Sequence, residues 1–495
     1  MGYADLRAFT AALTSAGLLK RVVEPVSLVH EMTEIHRRVL AAKGPAMLFE
    51  KPVDANGNLL AHPVLINLFG TPQRVAMGLG LHEGQMATLG ETLAYLRNPE
   101  PPGTLRGALR RLPELRAALA MGTRNASRPA VQDVVLSAAT LDLGALPIQW
   151  CWPGEPAPLI TWPLVITRDP EDTTDINVGV YRLQVLGRDR LIVRWLPSRG
   201  GARHFARWQE RQQDMPIAIA IGADPATMLA AAMPIPDGVS ELAFAGLLRR
   251  EKTRIAKATS VDLPVPADAE FVLEGTVSCT ERADEGPYGD HTGYYNAVEP
   301  FPVITLSAIT HRRDPIYVST FTGRPPDEPA VLADALGGLL VPLVRRQFPE
   351  VRDVYFPSAA CSYRFAVVSI DKRYPGQARR VMLGLWSMLP QFTMTKTIVV
   401  VDADGIDIRN WDDVLWAVST RFDASRDLVQ LENTPIDYLD FASPLPGLGG
   451  KIGLDATGKI GVETARQWGK ALEMSNEIVT RVDELWARLG LDAVQ

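Results

Sequence analysis

The segment Glu285-Gly-Pro-Tyr-Gly289-Asp290-His291 sets two carboxylates five residues apart around a proline and two glycines, beside one of only seven histidines. Turn residues of this kind fix the backbone, so both carboxylates can be held rather than solvated. Close like charges raise the pKa of one carboxyl, which can then donate a proton near neutral pH. Upstream, Asp175-Ile-Asn177-Val-Gly179-Val180-Tyr181-Arg182 reads as a strand. Asn177 and Arg182 fall on opposite faces of it, unless a bulge beside Gly179 turns one of them. Arg194-Trp195-Leu196-Pro-Ser-Arg199-Gly200-Gly201 ends a strand in an Arg-Gly-Gly turn. Such a turn offers a guanidinium and backbone N–H groups to a phosphate. Gly447-Leu-Gly449-Gly450-Lys451 leads glycines into a lysine in the same way.

Other chemistries are missing their residues. His30-Glu31 and His36 look like a zinc-protease motif, but the second histidine comes at i+6 rather than i+4, so a solvated helix face is expected. Gly78, Gly80 and Gly84 miss the dinucleotide-binding spacing. There is no phosphate-binding P-loop, no nucleophile elbow and no Cys/His zinc pattern. Acids outnumber bases 57 to 51 over 495 residues, a net charge of −6, which speaks against a nucleic-acid partner. Cys151, Cys279 and Cys361 are far apart and form no disulfide framework, as suits a reducing cytoplasm. The first residues lack a basic stretch followed by an apolar one, so no secretory leader is expected. The most apolar long window, 215–236, is broken by Pro216, Asp224, Pro225 and Pro234, so a soluble protein is expected.

Three textures position these residues. Leu6, Phe9 and Leu13 share a helix face ended by Gly17, Val29 to Ala42 is helical, and strands are expected at 46–50 and 63–67. Residues 97–103 are rich in breakers and read as a boundary or long loop. Strands then dominate: 160–167, 176–186 and 191–196 (the last two joined by a turn at 187–190), 217–221, 271–277 and 303–309, with one helical insert at 225–233. Such a run suggests a barrel or sandwich. From about 325 helices and strands alternate again. Helices are expected at 330–348, 376–389 and 411–419, with strands at 362–370 and 397–401. Ile478, Val482, Leu485 and Leu489 form the apolar stripe of a terminal amphipathic helix. The fold class expected is α/β (α+β): an N-terminal α/β domain (1–125), a central split β-barrel (126–325) and a C-terminal α/β domain (326–495).

Taken together, Asn177 with Arg182, Arg199-Gly200-Gly201, Glu241-Leu-Ala-Phe-Ala-Gly246, the 285–295 segment, Thr322-Gly-Arg-Pro-Pro-Asp-Glu-Pro329 and Asn433-Thr-Pro-Ile-Asp-Tyr-Leu-Asp440 occur in the order seen in the UbiD family of prenylated-flavin-dependent decarboxylases. The resemblance covers nearly the whole chain and is strongest to the branch acting on 3-polyprenyl-4-hydroxybenzoate in ubiquinone biosynthesis. It implies that Asn177 and Glu241 ligate a divalent metal, Mn²⁺ by family habit. It implies that Val180, Tyr181, Arg182, Arg194, Trp195, Leu196, Arg199 and Gly200 line prenylated FMN, with Lys451 reaching its phosphate. Arg182, Glu285 and Asp290 would form the catalytic set, with Asp290 as proton donor. The ferulic-acid decarboxylase branch has a third metal ligand, a histidine, where this chain has Gly200, so water or a phosphate oxygen would fill that place.

The resemblance further implies a UbiX-type flavin prenyltransferase as cofactor supplier, a dimer-based homo-oligomer (a hexamer) using the C-terminal helix, and peripheral contact with the inner face of the cell membrane. Two alternatives accompany this reading: a decarboxylase of a small phenolic or heteroaromatic acid, and a flavin-binding scaffold without chemistry.

Overall fold

The computed structural model describes residues 2–97, 104, 112–197, 199–233, 235, 239–388, 390–472 and 474–490. Most of the breaker-rich 97–103 segment lies outside the described residues. The first sheet orders its strands Leu19–Val22, Ala46–Phe49, Val64–Ile66 and Tyr317–Val318. Its last strand arrives from far along the chain, Tyr317 pairing with Val64 in parallel. Helix Leu6–Ser15 presses Leu6, Phe9 and Leu13 onto the core, and Gly17 follows it with φ +70°, the left-handed stop that glycine adopts freely.

The central sheet has nine described strands and carries the site. Two long antiparallel strands, Phe271–Glu285 and Glu299–His311, form its spine. They run well past the 271–277 and 303–309 expected from apolar runs, because the first strand continues through the exposed polar residues Thr280, Glu281, Arg282 and Asp284 to the buried Glu285. Their register shifts at Glu274/Gly275 and again at Val277/Arg282. At the first shift, a Cβ on Gly275 would lie 2.2 Å from Thr305 O, so only glycine lets the strands approach there. Ile217, Ile219, Ile221, Leu164, Ile166 and Leu273 are fully buried within the same core, which is continuous with that of the N-terminal sheet. Each such side chain contributes roughly 1.5–3 kcal/mol of burial free energy.

The stretch expected as one strand over 176–186 is two. Ile176–Val180 pairs with Leu164–Arg168, and Leu183–Val185 pairs instead with Arg190–Val193 and Leu159–Ile160. The chain changes partners at Tyr181-Arg182, so the sheet curls around these two residues. The expected 160–167 strand is likewise split into Leu159–Ile160 and Leu164–Arg168.

A five-stranded sheet follows: Val351–Tyr355, Phe365–Ile370, Thr397–Asp402, Leu448–Ala456 and Leu428–Pro435, in spatial order. Val344, Phe348, Val368, Met382 and Val400 fill its core. Helix Asn476–Trp486 buries none of its described residues, and Ile478, Val482 and Leu489 are exposed. His36 does not sit on a solvated face. It is fully buried against Phe321 and 3.5 Å from Glu328, and desolvation pushes its pKa down to about 3.

Candidate active site

Arg182 sits where the sheet curls, between two carboxylates. Its Nε donates to Glu285 Oε1 at 2.8 Å and its Nη2 to Glu285 Oε2 at 3.1 Å, while Nη1 donates to Asp290 Oδ2 at 2.6 Å. Glu285 ends its strand directly opposite Glu299. Arg194 separates those two like charges, donating to Glu285 Oε2 at 3.0 Å and to Glu299 Oε2 at 3.1 Å. The turn that carries Asp290 is fixed by its backbone. Gly286 takes φ +91° and donates its N–H to Gln184 Oε1, Tyr288 donates its N–H to Asn296 Oδ1, and Gly289 donates to the buried Glu155.

These charges correct one expectation. Proximity of Glu285 does not raise the Asp290 pKa. Burial acts upward, but the Arg182 guanidinium and His291 outweigh it and hold the Asp290 carboxyl well below the usual range. Asp290 is therefore ionised at neutral pH. Glu155 behaves oppositely: desolvation raises it to about 7 although it accepts three backbone N–H bonds, from Cys151, Trp152 and Gly289.

A second group of residues lies behind Arg182. Asn177, on strand Ile176–Val180, and Glu241, first residue of helix Glu241–Arg249, line one cavity of about 180 Å³ together with Gly200 and His204. Glu241 Oε2 accepts the Val178 N–H at 2.9 Å, and burial raises the Glu241 pKa to about 7. Among the described residues no cation pairs with it. Arg199-Gly200-Gly201 is not a plain turn. Arg199 is the N-cap of helix Gly200–Glu210, which sequence reading missed because two glycines open it. A Cβ on Gly200 would lie 2.0 Å from Asn177 Oδ1, and one on Gly201 would lie 2.6 Å from Trp195 Nε1. The Trp195 indole N–H is buried without a hydrogen-bond partner among the described residues. Tyr181 packs edge-on against Trp195 and its hydroxyl receives the Gly201 N–H at 3.3 Å.

Three family models match consecutive parts of the chain: the N-terminal (10–93), Rift-related (123–325) and C-terminal (330–456) domains of UbiD, 3-octaprenyl-4-hydroxybenzoate carboxy-lyase. The chain belongs to the UbiD family of carboxy-lyases. The UbiD-class enzyme HmfF from Pelotomaculum thermopropionicum, solved in complex with FMN, is 29% identical with a TM-score of 0.80, over 97% of this chain and 99% of that one. Vanillic acid decarboxylase of Sedimentibacter hydroxybenzoicus in closed form is 27% identical with a TM-score of 0.82, over 99% of both chains. The 3,4-dihydroxybenzoic acid decarboxylase of Enterobacter cloacae, at 24% identity and a TM-score of 0.78 over 98% of this chain and 100% of that one, shares the fold.

Against the residues expected from the UbiD resemblance, Arg182, Glu285 and Asp290 form one hydrogen-bonded set, and Asn177, Gly200 and Glu241 share one cavity. Val180, Tyr181, Trp195 and Leu196 lie on the two segments that flank Arg182 and Arg194, and the Arg199 side chain is exposed. The Arg194 guanidinium is engaged with Glu285 and Glu299. Lys451 is not available to a phosphate. Its buried ammonium donates to the carbonyls of Thr393, Thr395 and Pro435, and desolvation lowers its pKa to about 8. Sequence reading missed His204, one helical turn after Gly200. Its Nδ1 bonds Thr167 Oγ1 at 2.9 Å and its Nε2 lies 3.4 Å from Asp175. The i, i+4 spacing of Gly200 and His204 on a helix was the available signal.

Proposed function

We propose that this chain is a prenylated-FMN-dependent decarboxylase that converts 3-polyprenyl-4-hydroxybenzoate to 2-polyprenylphenol and CO₂ in ubiquinone biosynthesis. The observation that carries the reading is Arg182 bridging Glu285 and Asp290 inside the curled sheet, in a chain of the UbiD family. Loss of CO₂ from an aromatic acid leaves an electron pair with no place to go, and the side chains here offer no electron sink. The prenylated flavin supplies that sink when bound, as cofactors do for hard chemistry.

The residues present fit the cofactor and metal. The partly buried Glu241 carboxylate, which no cation pairs with among the described residues, calls for a cation. The glycines at 200 and 201 leave a cradle that a side chain would fill, and the orphaned Trp195 N–H faces it. Asn177 and Glu241 would hold a divalent metal, and oxygen donors suit Mn²⁺. Val180, Tyr181, Trp195, Leu196, Arg199 and Gly200 would line the flavin. Arg182 orients the substrate carboxylate, and Asp290 delivers a proton to the carbon that loses CO₂.

The polyprenyl tail is lipid-soluble, so the reading includes peripheral contact with the membrane. Among the described residues no helix is long and apolar enough to cross one. The exposed stripe of helix Asn476–Trp486 supports a homo-oligomer, read here as a dimer-based hexamer. The likeness to a vanillic acid decarboxylase favours a second reading, in which the substrate is a small phenolic acid. Coexpression with a flavin prenyltransferase, then the absorbance and mass of the bound cofactor, tests the first step. CO₂ release from polyprenylated 4-hydroxybenzoate, unprenylated 4-hydroxybenzoate and vanillate separates the two readings. Turnover of vanillate alone would replace the first with the second.

A further inference from the structure

An Asp290 that is ionised at rest has no proton to give, so the proton must be stored beside it. We infer that His291, held by Asp437, supplies the proton that Asp290 passes to the substrate carbon. This rests on the decarboxylase reading above.

The geometry is a continuous chain. His291 Nδ1 lies 2.8 Å from Asp290 Oδ1, and His291 Nε2 lies 3.1 Å from Asp437 Oδ2. Asp290 belongs to the turn after strand Phe271–Glu285, whereas Asp437 lies between strands Leu428–Pro435 and Leu448–Ala456 of the C-terminal sheet. Arg364, next to strand Phe365–Ile370, pairs with the same Asp437 oxygen, Oδ2, at 3.1 Å. Asp327, the N-cap of helix Glu328–Gln347, and the Cys361 thiol also interact electrostatically with the ring, and Arg182 holds the other oxygen of Asp290. Both ring nitrogens are engaged by carboxylates, so neither is free for the substrate, and His291 acts through Asp290 as a positioning and proton-storing residue.

Charge assigns the resting proton to the same place. Burial disfavours an imidazolium, but Asp290 and Asp437 on its two sides outweigh burial and raise the His291 pKa to about 10. At neutral pH the ring therefore holds both protons. In the reaction the bond to the carboxyl carbon breaks, CO₂ leaves, and the electron pair stays behind. That pair takes a proton through Asp290. For this the Asp290 carboxylate first accepts the Nδ1 proton of His291 and becomes a carboxylic acid, and on giving that proton to the carbon it is again a carboxylate. The neutral ring recovers a proton from water, to which 22% of its side chain is exposed. One proton is consumed for each CO₂ released, so the cycle balances.

The test uses protein coexpressed with a flavin prenyltransferase and an aryl acid that the wild type decarboxylates. His291→Asn is expected to lower kcat 100-fold or more, with KM and cofactor absorbance within twofold. Wild-type kcat is expected to fall only at strongly alkaline pH, as His291 loses its proton. Asp437→Asn is expected to move that alkaline limb down by a unit or more, a shift that mere structural support would not produce. If His291→Asn fails to bind cofactor, the Asp437→Asn profile decides alone. An alkaline limb unmoved in Asp437→Asn, or full activity in His291→Asn, overturns the relay and leaves the decarboxylase reading standing. A wild type that releases CO₂ from no aryl acid overturns both.

Discussion

Arg182 and Glu285 face each other fork to fork, with parallel N–H···O bonds of 2.8 and 3.1 Å across a sheet seam where the chain changes strand partners. A bidentate pair of this kind fixes orientation as well as charge. The glutamate is fully buried and the arginine side chain 13% exposed, so the guanidinium plane is set before any substrate arrives. Its third contact, to Asp290, then places a carboxylate at a defined point beside that plane.

Removing one member of this buried set leaves uncompensated charge. Glu285→Leu strands Arg182 and Arg194 together, and breaking buried pairs in this way costs about 3–5 kcal/mol. A fall of that size in the denaturation free energy of the cofactor-free protein checks it. A fall below about 1 kcal/mol would mean that Asp290 and Glu299 suffice to hold both guanidiniums.

Asp290→Asn keeps the shape and removes the proposed proton carrier. Proton transfer by a positioned side chain is worth about 10²–10⁴-fold. Turnover is expected to fall by at least that much while the flavin absorbance of the purified protein stays unchanged. Activity at the wild-type level would take the acid role away from Asp290.

Gly200→Ala tests the proposed metal site from its wall. The added methyl would need space 2.0 Å from Asn177 Oδ1, so Asn177 must rotate away. Displacing a metal's supporting groups costs about 10–100-fold in affinity. Bound Mn²⁺, measured by elemental analysis after dialysis, is expected to drop while the melting temperature changes by no more than a few degrees. Retained metal would remove Asn177 from the ligand set.

The exposed stripe on helix Asn476–Trp486 predicts an assembly effect. Ile478→Glu with Val482→Glu places two charges on a face that has no partner within the described residues of the chain. Light scattering is expected to give a smaller particle than the wild type, with far-UV dichroism unchanged. An unchanged mass would show that this face is not an interface.

Much of this was legible in the residues, and the gaps have physical causes. Helix Leu6–Ser15 and strand Thr397–Asp402 announce themselves by local periodicity and apolar runs. The break at Tyr181-Arg182 did not, since it comes from a change of strand partners far away in sequence. Helix Gly200–Glu210 was hidden because glycines are poor helix formers, and here they are present for the closeness of Asn177 and Trp195. Arg182, Glu285 and Asp290 could be named from motifs, but the sign of the Asp290 shift could not. It depends on Arg182 standing between the carboxylates and on Asp437 charging His291 from another sheet.

Glu155 gives the pH prediction. Its carboxyl goes from 4.5 to about 7 on folding, because burial outweighs its three backbone N–H bonds. Between those values the folded state binds more protons than the unfolded one, so stability falls as pH rises from about 4.5 to about 7 and is level above. A single such group contributes a slope of at most about 1.4 kcal/mol per pH unit, or roughly 3 kcal/mol in all. Glu155→Gln cannot titrate and removes that contribution. Its amide also turns a donor toward the Gly289 N–H, so the variant is less stable at acid pH than the wild type. The gap between the two is therefore expected to narrow as pH rises from 5 to 7, in parallel denaturation series on cofactor-free protein. A gap that stays constant would mean that Glu155 is ionised throughout, held charged by Cys151, Trp152 and Gly289.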